Sequence, residues 1–187
     1  MIRNSKLHTA ILPLTVAAAL AATMFDTRAH GEDPPPGGID QSRQLVETRK
    51  ATAAFRDVNA ALAANYVKFP DLRGDCVAQP GQGGMGIHYL NAALVDVELD
   101  PMHPELLVYR LDTNGKLDLV ALEYVVPAPV WDSLHPQPPI LFGHTFHLLR
   151  VPNRYGLATP LYTLHVWLWE HNSNGLFSDW NPSVHCD

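Results

Sequence analysis

The pattern of apolar and polar positions changes period once along the chain. Residues 41–65 contain no Gly or Pro and are rich in Ala, with Arg, Leu and Glu among them. Phe55, Val58, Leu62, Tyr66 and Phe69 recur at helical spacing, which predicts one long amphipathic helix with a single buried stripe. Asp40 or Ser42 is placed to cap its start, and Pro70 to stop it. Residues 71–84 read as a loop that holds Cys76 and the flexible run Pro80-Gly81-Gln82-Gly83-Gly84. From residue 85 the period becomes two, which predicts strands over 85–91, 105–111, 117–126, 142–151 and 161–171. Asp112-Thr113-Asn114-Gly115-Lys116 joins the second strand to the third, and its Asn-Gly pair is a hairpin signal. Pro-rich connections, chiefly 127–139, separate the strands, and 172–187 is turn-rich.

One long N-terminal helix followed by four to five antiparallel strands is an α+β plan. The expected form is a helix packed on a curved antiparallel sheet, a cystatin-like or NTF2-like roll. A β-sandwich or cupin-like barrel with the helix packed outside is the alternative.

Ahead of this domain, residues 1–29 carry the features of a secretory signal peptide. Arg3 and Lys6 form a charged start, residues 9–22 an apolar run, and Thr27 and Ala29 the small-residue cleavage signal. A cut after Ala22 is the second choice. The run is shorter than the roughly 20 residues a span needs, and Pro13 interrupts it, so no stable membrane insertion is expected once the leader is removed. Retention of the leader as an anchor is the alternative. Residues 30–40 (HGEDPPPGGID) read as a disordered Pro/Gly tail, and 41–187 as a single domain. The expected location is the periplasm or the exterior.

Composition supports a folded chain: of 187 residues, 47% are hydrophobic and 17% charged. Loss of residues 1–29 removes Arg3, Lys6, Arg28 and Asp26 from 13 basic and 19 acidic residues, which moves the net charge from −6 to −8. No basic stripe remains, which disfavours nucleic acid and anionic membrane surfaces as partners. In an oxidising compartment Cys76 and Cys186 are expected to form one disulfide. A thiolate metal ligand and a redox pair are the alternatives, but neither has CxxC spacing behind it.

Histidine is the unusual residue, with ten in the chain. Strand parity sets Leu164, Val166 and Leu168 on one face, and His165, Trp167, Trp169 and His171 on the other. His165 and His171 lie about 20 Å apart on an extended strand, so only one belongs to any single site. His88 follows two glycines that permit close backbone approach. Glu123 interrupts an otherwise apolar strand, where an unpaired buried carboxylate is very costly. His144 and His147 have opposite parity, so a regular strand aims only one of them inward.

The predicted metal ligands are His88, Glu123, His147 and His165, a set suited to Zn, Fe, Mn or Cu. Trp167, Trp169 and Asn91 are candidates for binding a small ligand. No HExxH, GxSxG or phosphate loop occurs. The ordinary reading of each histidine is a surface or hydrogen-bonded structural residue. An N-terminal His30 chelating copper after cleavage is a further possibility, disfavoured by the mobile sequence that follows it.

The segments Gly84-Met85-Gly86-Ile87-His88-Tyr89-Leu90-Asn91, Leu164-His165-Val166-Trp167-Leu168-Trp169 and Trp180-Asn181-Pro182 resemble segments of a set of small secreted bacterial proteins of unknown function. The resemblance covers most of the chain after residue 70. It implies an exported bacterial protein and brings no activity with it.

Two classes of function follow. In one, an exported protein binds a metal ion or small ligand in a His-rich pocket; as a hydrolase or lyase it would use Glu123 and His165 for acid/base chemistry, with or without the metal. In the other, a non-catalytic interaction module uses the Trp/His sheet face as a homodimer or partner interface.

Overall fold

The computed structural model describes residues 38–69 and 75–186. The expected leader, and the expected tail up to residue 37, lie outside them. The elements run α1 (Gly38–Ala51), α2 (Val58–Ala63), β1 (Val67–Lys68), β2 (Cys76–Gln79), β3 (Gly83–Leu90), β4 (Leu106–Leu111), β5 (Leu117–Pro127), α3 (Ala128–Leu134), β6 (Ile140–Leu141), β7 (His144–Thr145), β8 (His147–Leu149) and β9 (Leu161–Val166). This is an α+β chain with a mostly antiparallel sheet and few helices.

The single long helix does not form. The chain is helical to Ala51, tightens into a 3-10 turn over Ala53–Arg56, and restarts at Val58. Thr52 turns its hydroxyl back onto the Thr48 carbonyl (2.9 Å), and Asp57 is extended. The Asp57 carboxylate accepts from the backbone N–H of Asn59 (3.0 Å), which makes it the N-cap of a second helix. The expected stripe is broken accordingly. Phe55, Val58 and Tyr66 pack on the core, whereas Leu62 is 48% exposed and its place is taken by the fully buried Ala61.

Seven strands form one sheet in the order β1-β3-β4-β5-β9-β8, with β2 also paired to β3, and every pairing is antiparallel. The expected hairpin joins β4 to β5 through Asp112, whose carboxylate accepts from the N–H groups of Asn114 and Lys116 (both 2.8 Å). One face buries Tyr89, Leu107, Tyr109, Leu122, Tyr124 and Leu164 beneath the helices. Burial of each such side chain stabilises by roughly 1.5–3 kcal/mol. Tyrosine hydroxyls fasten this layer, Tyr109 to the Phe55 carbonyl (2.6 Å) and Tyr66 to the Pro104 carbonyl (2.7 Å).

Three further expectations are corrected. The 127–139 connection contains α3, whose first turn accepts Pro and whose Trp131 is buried. The strand expected over 142–151 is two short strands: Phe142 and Gly143 (φ 50° and 71°) form a turn between β6 and β7, and the buried Phe146, whose N–H donates to the Pro139 carbonyl (3.0 Å), separates β7 from β8. The last strand stops at Val166 rather than 171. Opposite its end the β4–β5 register shifts around Val120, whose carbonyl accepts from the N–H groups of Trp169 and Glu170 (both 3.2 Å).

The disulfide Cys76–Cys186 closes a separation of 110 residues, worth about 4–5 kcal/mol in the chain-entropy picture. It fixes the C-terminal segment against β2. No helix of the described residues is long and apolar enough to cross a membrane.

Candidate metal centre

The face of the sheet away from the helices carries the site. Gly86 makes the approach of β3 possible: its φ is +119°, and a Cβ there would run into the Tyr109 carbonyl. Two residues on, His88 pairs with Val108 of β4. On β5, Glu123 pairs with Leu106 on one side and directly with His165 of β9 on the other. The alternation of each strand therefore brings the three side chains to one face.

Their ligand atoms lie within 4.8 Å of one another, and all three residues are buried. His88 Nε2 is 3.4 Å from Glu123 Oε2, and His165 Nε2 is 3.7 Å from Glu123 Oε1. A tetrahedral ion with arms of 2.0–2.2 Å separates its ligands by about 3.4 Å, so the two carboxylate–imidazole distances are close to what ligation needs. Neither His88 Nε2 nor His165 Nε2 has a protein hydrogen-bond partner.

Asp179 stands behind His165. Its Oδ1 faces His165 Nδ1 at 3.7 Å, and its Oδ2 faces Nδ1 of the exposed His147 at 3.3 Å. Carboxylate and imidazole thus alternate from the cavity floor to the surface: His88, Glu123, His165, Asp179, His147.

Burial governs the charge states. Desolvation, then the positive sides of His165 and Arg154, push His88 down to about 3, so it is neutral. Desolvation raises Glu123 above the ordinary carboxylate range, and His165 opposes this only in part. For His165 burial works against the charged form, but the Glu123 and Asp179 carboxylates outweigh it and the result is a raised value. Asp179 is lifted by burial and lowered more by His165 and His147, and ends below its usual value.

A cavity of about 220 Å³ opens in front of His88 and Glu123. Its walls are apolar, among them Phe69, Leu90, Leu106, Val125 and Leu161, with Tyr155 and Thr163 also contributing. Phe69 is held there by its N–H, which donates to the His88 carbonyl (2.8 Å).

Of the four predicted ligands the structure brings three together. His147 lies on β8, exposed, and reaches the group only through Asp179. Its neighbour His144 is exposed as well, stacked on Phe177 at 3.7 Å between centroids, so neither histidine of that stretch points inward. The three candidate ligand-binding residues lie elsewhere. Asn91 caps a short turn and donates to the Ala64 carbonyl (3.0 Å). Trp167 is 3% exposed, packs with Val108, Val120 and Val184, and donates to the Ser178 carbonyl (2.6 Å). Trp169 packs on the opposite layer under Arg49, whose guanidinium lies 4.4 Å from its ring. The row of indoles expected beside His165 is broken: Trp167 keeps that face but is covered by Val184 and the segment 176–178, and Trp169, beyond the end of β9, packs on the other layer. Neither Asp179 nor the apolar walls follow from strand parity. Asp179 is brought in by the segment that Trp167 holds, the Trp167 backbone N–H donating to the Leu176 carbonyl (2.9 Å) and its ring N–H to the Ser178 carbonyl (2.6 Å).

The chain matches no protein-family model, no curated protein and no solved structure.

Proposed function

We propose that this chain is an exported metal-binding protein in which His88, Glu123 and His165 hold one divalent transition ion at the floor of a small-ligand cavity. The observation that carries this reading is the convergence of three buried ligand atoms within 4.8 Å, two of them imidazole nitrogens with no protein partner. A buried polar atom left unsatisfied costs about 1–3 kcal/mol, and coordination would remove that penalty at both imidazoles. Two imidazoles and one carboxylate form the ligand set of Zn sites with an open position and of non-haem Fe(II) sites; Mn and Cu are accepted by the same donors. His88 and Glu123 also line the cavity, so a free coordination position would face it.

When bound, the ion would supply Lewis acidity toward a water or a ligand head in the cavity. His88 enters as a neutral donor, and the Asp179 carboxylate, 3.7 Å from His165 Nδ1, favours a proton on that nitrogen and leaves Nε2 toward Glu123 to ligate. Among the described residues the cavity lining holds no carboxylate or imidazole besides Glu123 and His88. Hydrolase or lyase chemistry would therefore need Glu123 to act as base while released from the ion. Export is supported by the leader-like residues 1–29, the resemblance to small secreted bacterial proteins, and the disulfide.

A metal-free reading, Glu123 and His165 as an acid/base pair, is favoured by their cross-strand facing at 3.7 Å. Zinc titration of the full chain against a competing chelator separates the two. We expect one ion per chain, lost in His88→Ala and His165→Ala variants that keep the wild-type circular dichroism spectrum. A folded chain that takes up no metal, or a His165→Ala variant that keeps it, would overturn the proposal.

A further inference from the structure

The cavity in front of the three ligands is more selective than a metal site requires. Its volume is about 220 Å³. An apolar cavity of about 150 Å³ accommodates benzene, and drug-sized ligands need roughly 300 Å³ or more. The space thus fits one aromatic ring, or a short aliphatic chain, with a few further atoms. Its walls give such a body mostly apolar contact, from Phe69, Leu90, Leu106, Val125, Leu149 and Leu161. A highly polar ligand such as a sugar would leave most of its hydroxyls unpaired here, at the cost of their desolvation.

The polar side chains of the cavity are few: His88 and Glu123 at the floor, and Thr163 and Tyr155 in the wall, the Tyr155 hydroxyl turned to Met85 Sδ (3.7 Å). At the floor a ligating His88 imidazole brings no charge, and Glu123 balances one of the two charges of a divalent ion. Of the three ligands Asp179 faces only His165, at its far nitrogen (3.7 Å); its other oxygen faces His147 (3.3 Å), and its side chain is 32% exposed and therefore partly screened. The metal-loaded floor keeps a positive potential at its open position, in a surround of low polarity where that potential is strong.

We infer that the cavity takes a small monocarboxylate with a compact apolar body, an aromatic or short-chain aliphatic acid, whose head completes the coordination of the ion before His88 and Glu123. The inference rests on the metal-site reading above and names the ligand class for it. Recognition is divided: the head is selected by charge and the open coordination position, the body by exclusion of water from the walls. Neither half suffices alone, so acetate lacks the body and the corresponding alcohol lacks the charge.

The test uses the full chain loaded with Co(II), whose visible absorption reports a new ligand on the ion. 3-Phenylpropionate, 3-phenylpropan-1-ol and acetate are titrated in parallel. The expected result is a spectral change with 3-phenylpropionate at a Kd at least about tenfold below those of acetate and the alcohol. Leu149→Trp and Leu157→Trp, both at half-buried positions of the wall, are each expected to keep Co(II) and lose that preference. Cobalt uptake with no response to 3-phenylpropionate, or equal affinity for acetate, would overturn the ligand class and leave the metal centre standing. A folded chain without cobalt uptake would overturn both.

Discussion

Asp179 touches the centre without belonging to it. Its carboxylate faces His165 Nδ1 at 3.7 Å, while Nε2 of the same ring faces Glu123. A carboxylate on the far nitrogen fixes the ring tautomer and raises the basicity of the ligating one. Asp179→Asn is therefore expected to weaken zinc affinity about 10–100-fold while leaving the stoichiometry at one, as read by chelator competition. His147→Ala, which removes only the exposed end of the chain of groups, is expected to change affinity far less. Equal effects of the two would contradict the role given to Asp179.

Glu105 is a second buried acid, away from the centre, and its Oε2 accepts from the N–H of Val125 (3.1 Å). Desolvation pushes it up to about 8, against an ordinary 4.5, in spite of that hydrogen bond. The folded state thus binds this proton more tightly than the unfolded state does. Its contribution to stability is fully present below about pH 4.5 and is lost as the pH rises through about 8. Glu105→Gln keeps an acceptor for Val125 and removes the proton. Denaturant unfolding at pH 5 and pH 9 is expected to show the variant gaining roughly 3 kcal/mol on the wild type between the two values. A constant difference would contradict the assignment.

At the scale of elements, β3 depends on the close approach at Gly86. Gly86→Ala adds a Cβ at φ +119° against the Tyr109 carbonyl, and is expected to destabilise by roughly 2–4 kcal/mol in thermal or denaturant unfolding. How far such elements were legible depended on what fixed them. β3, β4, β5 and β9 were readable as short apolar runs between turn signals, buried on both faces along most of their length, and the Asn114-Gly115 turn set the central hairpin. The helix break was hidden because an N-cap aspartate, Asp57, looks in sequence like any polar position on a helix surface. The turn at Phe142-Gly143 was hidden for a related reason: Phe142 is a poor turn signal and adopts φ 50° because its ring is buried in the core. Within the site, Glu123 announced itself as a lone acid in an apolar strand, and parity aimed His88 and His165. His147 obeyed no such rule once its strand was cut short. Asp179 sits in an irregular segment, where no period says which way a side chain points.

At the scale of the molecule, the sheet divides two tasks between its faces. One face, beneath the helices, supplies most of the burial through aromatic and aliphatic side chains. The other gathers a few polar groups at the floor of an apolar cavity, and the disulfide secures the C-terminal segment at its border. The stable layer thereby carries the cost of holding two imidazoles and a carboxylate out of water. X-ray absorption at the metal edge of the zinc-loaded full chain tests this most directly. Two imidazole nitrogens and a carboxylate oxygen at about 2.0–2.2 Å are expected, with one imidazole contribution missing in either His88→Ala or His165→Ala. A shell of oxygen ligands only, or an imidazole signal unchanged in both variants, would contradict the assignment of the centre.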